Sequence, residues 1–327
     1  MTQLIALLQA GIMFGTVILY GSTGETLTEK SGNLNLGVPG IMYLGGIMGL
    51  MTTFYYEMNN PNPNKFVCLV LAMVSAFIAS MLGGLIYCIL TVSLRTNQNV
   101  TGLTLTIFAG GFANFFGGIL NRLAGGVGQI SVATTSAAFR ATLPFAKSLP
   151  PLLSMLFGFG FMVYLAIVVA LLVNWFINRT SVGLNLRAVG ENPATADAAA
   201  INVTLYKYLA TCIGAGISGL GGLFYVMDYT KGTWDSGGGI EGLGWLAVAL
   251  VIFSSWNSKR GIWGAYLFGM LYWLFFYIPN LTRRSMELFK MLPYLVTIIV
   301  LVFVSLRRKR ENQPPGSLGL PYFREER

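Results

Sequence analysis

The 327 residues are 54% hydrophobic and only 10% charged, with 40 glycines, a mean hydropathy of +0.65 and a formal net charge of +9. Soluble domains carry roughly a quarter charged residues, so this composition excludes a soluble globular fold and calls for an all-α, polytopic helical membrane protein. The bases sit at the ends of apolar runs rather than in a patch with interleaved aromatics, which argues against nucleic acid, and the absence of histidine removes the commonest general base and metal ligand.

Taken in order, the N-terminal run MTQLIALLQAGIMFGTVILYG has no positive stretch and no small-residue cleavage site, so it reads as a retained first span, Leu4–Tyr20. The stretch GSTGETLTEKSGNLNLGVPG then reads as a Gly- and Asn-rich break. Crossing the hydrocarbon takes about twenty apolar residues. Further runs lie near Ile41–Tyr56, Phe66–Val92, Val100–Leu120, Leu152–Ile177, Val203–Met227, Leu243–Trp256, Ile262–Ile278 and Leu292–Leu306, which predicts about nine spans. The runs from Ile41 and Leu243 are short, as interrupted helices are. Residues 121–150 form a long outside loop, and Cys68, Cys88 and Cys212 lie in apolar runs as packing residues. The chain divides into one transmembrane domain, 1–306, and a tail, 307–327.

An odd number of spans puts the termini on opposite sides. The run Arg307–Arg310 places the C-terminus in the cytoplasm and the N-terminus outside, with Arg95, Arg179, Arg187, Lys207, Lys259 and Arg260 inside; Arg283, Arg284 and Lys290 count against this assignment. Two segments echo each other: Glu29–Gly46 and Asp235–Leu250 each carry a Ser-Gly turn and a G-x-x-G step, Gly37 to Gly40 and Gly239 to Gly242. Facing opposite sides, they have the pattern of an inverted repeat whose interrupted helices line a substrate path, although glycine is common in any membrane helix. Polar residues at membrane depth are costly and often functional. Asn33 and Asn35 beside the first break, Asn114, and Glu241 with Trp245 beside the second are therefore pathway candidates. For any one of them, contact between helices is the commoner role. Apart from Asp228 and Glu241, the spans are read as almost free of titratable groups, which weighs against the rival reading, a carrier driven by an ion gradient.

Between two apolar runs lies a polar island, Ser181–Val203. Asn192 followed by Pro193 is a helix start, because Asn caps free N–H groups and proline is pre-set for the first helical position. A short helix from Pro193 to Ala200 follows, almost all alanine, slender enough to dock in a groove of another protein. A plain polar connector is the alternative.

The run LRAVGENPATADAAAINVTLYKYLA, Leu186–Ala210, resembles the cytoplasmic coupling loop of permease subunits of ABC importers for nucleosides and simple sugars. ETLTEKSGNLNLGVPGIM, GLGWLAVALVIFSSWNSKRG, LPYLVTIIVL and PPGSLGLPY resemble other motifs of that family, so the likeness runs from about Gly24 to Tyr322. It departs at Pro39, where the family usually has Glu, and the role of that Glu is not carried over. The resemblance implies a subunit that forms the path for a nucleoside or simple sugar in the bacterial cytoplasmic (inner) membrane and is not itself an enzyme. It also implies coupling to an ATPase through Arg187, Gly190, Glu191, Asn192, Pro193, Asp197 and Asn202. The implied partners are a second, longer permease, a cytoplasmic ATPase with two nucleotide-binding domains that binds ATP and Mg, and an extracytoplasmic substrate-binding lipoprotein of the basic-membrane-protein type. This chain itself needs no cofactor.

Overall fold

A computed structural model describes residues 2–123, 131–142, 157–278, 286, 288–289, 291–307 and 313–324. Among these residues the structure is helical, with no strand. The helices are α1 (Thr2–Glu29), α2 (Val38–Asn59), α3 (Lys65–Cys88), α4 (Gln98–Leu123), α5 (Ala133–Phe139) and α6 (Phe161–Arg179). They are followed by α7 (Ser181–Glu191), α8 (Pro193–Ala198), α9 (Val203–Phe224), α10 (Gly239–Phe253), α11 (Ser258–Trp273) and α12 (Leu292–Arg307). By length and composition six segments can cross a membrane: α1, α2, α3 with its continuation to Ser93, α4, α6, and α9 with its continuation to Tyr229. The other three expected spans are the shorter helices α10, α11 and α12. The basic residues Arg308 to Arg310, Arg283, Arg284 and Lys290, and much of the 121–150 loop, lie outside the described residues.

Helix α9 is the axis of the bundle. It packs against α1, α2 and α3, and 83% of its most apolar window is buried, against 28% for Lys65–Ser93. The outer face of α3 carries Phe66, Val70, Val74, Ile78 and Leu82, all exposed and four residues apart. An apolar stripe of that spacing is a lipid-facing surface. In a bilayer, helices gain little from hiding apolar side chains, so close backbone approach between small residues holds them together. A Cβ on Gly24 would overlap the Gly214 carbonyl, and one on Gly222 would overlap the Met42 carbonyl. These glycines set the α1–α9 and α2–α9 seams.

The first break is shorter than the sequence suggests, and this is a correction. Helix α1 continues through Gly21 and Gly24 to Glu29, because those glycines face the tight seams with α9 and α10. Only 30–37 is non-helical. This segment turns back into the bundle: a Cβ on Gly21 would lie 3.6 Å from Val38 Cγ1 at the start of α2. Gly21 sits about 12 Å along the axis from the end of α1 at ~1.5 Å per residue, so α2 begins well inside the bundle.

Irregular backbone at membrane depth survives only where protein satisfies its polar groups. Gln98 Oε1 accepts from the Leu34 N–H at 2.7 Å, and the Tyr87 hydroxyl donates to the Leu34 carbonyl at 2.6 Å. Glu25 Oε1 accepts from the Asn35 N–H at 3.1 Å, and Thr106 donates to the Leu36 carbonyl at 3.3 Å. Pro39 sits in the first turn of α2, where its missing N–H costs no helical bond. Its ring packs on α10 so closely that a Cβ at Gly244 would come 2.6 Å from Pro39 Cα. The second break, 230–238, lies at the far end of α9, so the two breaks open from opposite ends of the bundle and their helices meet at Pro39 and Gly244.

Candidate functional site

At one end of the bundle the connection between α6 and α9 folds into two short helices. Thr180 starts α7: its hydroxyl oxygen accepts from the Gly183 N–H at 3.0 Å. Leu186 and Val189 point into the fold, 2% and 0% exposed. Asn192 then caps α8 by accepting from the Thr195 N–H at 3.1 Å, with Pro193 in the first turn. Ala196 is buried beside Val189 and Val203, while Ala194, Thr195, Ala198 and Ala199 are exposed. Asn202 caps α9 through the Leu205 N–H at 3.0 Å. The expected helix is thus present, six residues long, ending at Ala198 rather than Ala200; Ala200 takes a positive φ of 60° in the turn that follows. Removing the Asn192 side chain as Asn192→Ala should cost ~1 kcal/mol of local stability, read as faster amide hydrogen exchange at Thr195 with exchange in α9 unchanged.

Distant parts of the chain converge here. Gly190 lies against the turn after α1, where a Cβ on it would overlap the Lys30 carbonyl. Gly32, at φ +87°, has room for only a hydrogen on its outer side, since a Cβ would come 2.7 Å from Ser317 Oγ. The C-terminal segment crosses both glycines. Ser317 donates to the Gly190 carbonyl from its N–H at 3.0 Å and from its hydroxyl at 2.6 Å, and the Gly319 N–H donates to the Gly32 carbonyl at 3.1 Å. Glu191 accepts from the Gly316 N–H at 3.3 Å. Asp197 accepts from the Tyr322 hydroxyl at 2.9 Å and pairs with Arg324 at 3.2 Å. Tyr322 also packs on the Val189, Ala196 and Val203 cluster, and Arg95 lies over the Phe323 ring at 4.7 Å. Residues 313–324 therefore form a strap over α7 and α8.

A second joint closes the other flank. Trp256, between α10 and α11, donates from its indole N–H to Glu29 at the end of α1. Lys30, Arg187, Glu191, Ser258 and Arg260 line a polar cavity of about 380 Å³ beside it. Burial holds the Lys30 ammonium below its ordinary range, with nearby Glu191 opposing and Arg187 reinforcing that shift. The Arg187 Nε is buried without a hydrogen-bond partner.

The pathway candidates fall at two levels. Asn33 and Asn35 are 0% and 1% exposed. Asn33 donates to Thr211 on α9 at 2.9 Å, and Asn35 Oδ1 accepts from the Gly37 N–H at 2.9 Å, so both serve the fold of the first break. Asn114, Glu241 and Trp245 lie toward the opposite end, where Asn114 and Glu241 are exposed and Trp245 half-buried. There Asn114 accepts from the Trp234 indole at 3.1 Å, and Trp234 stands 6.2 Å from the Tyr43 ring. The Tyr225 hydroxyl donates to Asp235 at 3.1 Å. Tyr43, Tyr225 and Trp234 are themselves buried, so what this end presents is the amide and carboxylate groups with the half-buried Trp245.

Residues 7–301 match the family described as branched-chain amino acid transport system / permease component. The chain belongs to that permease family. It is similar to a putative glucose ABC transporter permease, TsgC13, of Haloferax volcanii, at 30% identity over 98% of each chain. It is also similar to the guanosine ABC transporter permease NupQ of Bacillus subtilis, at 26% over 97% of this chain and 96% of that one. A third relative is the nucleoside ABC transporter permease NupC of Lactococcus lactis subsp. cremoris, at 28% over 89% of each. No solved structure matches the chain significantly. The permease is therefore a membrane subunit of an ABC importer, a transport component and not an enzyme, and its membership implies an ATPase, a binding protein and a second permease as partners.

Three of the segments singled out in the sequence, 25–42, 186–210 and 314–322, meet at this end, and 242–261 reaches it through Trp256. Sequence reading missed two carboxylates. Glu25 and Glu29, each 1% exposed, lie in α1, which corrects the expectation of almost no titratable groups in the spans. Their signal was the i, i+4 spacing on a helix that had been ended too early at Tyr20.

Proposed function

We propose that this permease carries a nucleoside inward, with its C-terminus and the α7–α8 turn in the cytoplasm and its N-terminus outside. The observation that carries the coupling reading is the capped helix α8, whose exposed face is alanine and threonine and whose base is fixed by α7, α9 and the strap. A helix so small on one side and so tied on the other suits docking in a groove of the ATPase and moving as a rigid body. The orientation rests on charge: Lys30, Arg95, Arg187, Lys207, Arg260 and Arg324 all lie at that end, as the cytoplasmic excess of bases requires.

The ATPase in this reading has two nucleotide-binding domains that hold ATP and Mg, and the second permease is a longer relative. A substrate-binding lipoprotein delivers nucleoside to the opposite end, where the half-buried Trp245 offers a flat face to a base and Asn114, Asp235 and Glu241 offer hydrogen-bonding groups. Support for nucleosides comes from the guanosine and nucleoside permeases among the relatives; the glucose permease supports a simple sugar as the second reading. The test is uptake of radiolabelled nucleosides, glucose and pentoses by cells with and without the gene, repeated under ATP depletion and under an uncoupler with ATP maintained. Uptake of a nucleoside that needs the gene and ATP, and survives the uncoupler, is the expected result. Gene-dependent uptake of a sugar alone would replace the substrate assignment.

A further inference from the structure

Beneath the strap lies a cavity of about 530 Å³, between the end of α3, the start of α9, the α8 turn and residues 321–324. Among the described residues its charged lining is Arg95, Lys207, Arg324 and Asp197, three cations against one carboxylate. Asp197 is already engaged by Tyr322 and Arg324. Lys207 is the unusual member. Its side chain lines the cavity, is 3% exposed, and has no hydrogen bond or ion pair among the described residues. The Lys207 stem is buried and its ammonium gives onto the cavity, the one place where so buried a lysine can find water or an anion. The fold spends a lysine here, at the floor of a cavity with two arginines at its rim.

We infer that this cavity is a binding site for a phosphate-bearing anion, with Lys207 as the buried point charge and Arg95 and Arg324 as guanidinium donors to the phosphate oxygens. Guanidinium matches phosphate with paired donors, and lysine supplies compact charge at close range. Thr204 at the start of α9 adds a hydroxyl on the same wall. The volume is far larger than one phosphate group and falls in the range of small-molecule sites, so the ligand is a phosphorylated small molecule or the headgroup of an anionic lipid. Because the strap forms one wall, an occupied cavity ties residues 321–324 to α3 and α9 and steadies α8. The inference concerns binding alone, so its failure leaves the importer reading untouched.

The experiment is equilibrium dialysis of labelled inorganic pyrophosphate against the purified full-length chain in nanodiscs of neutral phosphatidylcholine. A parallel arm measures phosphatidylglycerol retained per chain after exchange into neutral lipid. Saturable pyrophosphate binding of one equivalent per chain, weakened at least about tenfold in Lys207→Gln, is the expected result and identifies a soluble ligand. Retained phosphatidylglycerol that is lost in Lys207→Gln, without pyrophosphate binding, supports the same site with lipid as its source. The exposed Arg95→Gln provides a second variant that does not disturb the interior and should weaken either ligand several-fold. Absence of both ligands from the wild-type chain, or binding unchanged in both variants, overturns the assignment.

Discussion

Asp197→Arg should leave ATP hydrolysis by the assembled importer running while nucleoside uptake falls about tenfold or more, equivalent to ~1.4 kcal/mol on the transport step. The cause is not the Arg324 pair, since that guanidinium is 75% exposed and surface ion pairs contribute only ~0–1 kcal/mol. What Asp197 holds is Tyr322, through a 2.9 Å hydrogen bond beside the Val189, Ala196 and Val203 cluster. Arginine removes that acceptor and places a fourth cation beside Arg95, Lys207 and Arg324. The strap then leaves α8, and the turn no longer moves as one body with α1 and α9. Asp197→Asn keeps an acceptor for the Tyr322 hydroxyl and should retain most uptake. The check is uptake and hydrolysis measured together in proteoliposomes containing the ATPase and binding protein; equal loss in the arginine and asparagine variants would show that charge, not the strap, matters.

Gly222→Leu should be the most damaging single change to the fold. Its Cβ would overlap the backbone carbonyl of Met42, and no rotamer relieves a backbone contact. Helices α2 and α9 would have to separate, at a cost of about 3 kcal/mol, a large share of a typical 5–15 kcal/mol of stability. Gly118→Leu on α4 is the control, because nothing lies within 4 Å of a Cβ at that position. In detergent, Gly222→Leu should lower the unfolding midpoint by several degrees and reduce the monodisperse yield, with Gly118→Leu close to wild type. Matching midpoints for the two variants would mean that the seam is not held by backbone approach.

Much of this arrangement was legible in the chain. Each of the nine apolar runs contains a helix among the described residues, six of them long and apolar enough to cross a membrane, and Asn192-Pro193 starts a helix for reasons local to two residues. The boundaries of α1 were not legible, since Gly21 and Gly24 read as a break when their neighbours are unknown; only the approach of α9 and α10 shows them as packing positions. Asn33 and Asn35 are pathway candidates because they are polar at membrane depth, a criterion that packing residues also meet. The structure has Asn33 bonded to Thr211 and Asn35 bonded to Gly37, a distinction that depends on partners far apart in sequence. The strap is the clearest case. Nothing in PPGSLGLPY states that Ser317 reaches Gly190, because a contact across more than a hundred residues leaves no periodicity to read.

The most direct test of the account is a photo-crosslinking residue placed at Thr195, on the exposed face of α8, in the importer assembled with its ATPase. A control copy carries the same group at Phe115, exposed on α4. Crosslinks from Thr195 to the ATPase, weakened in Asp197→Arg and absent from Phe115, are the predicted result. An ATPase that co-purifies with the permease yet never crosslinks from Thr195 would contradict the assignment of α8 as the coupling element.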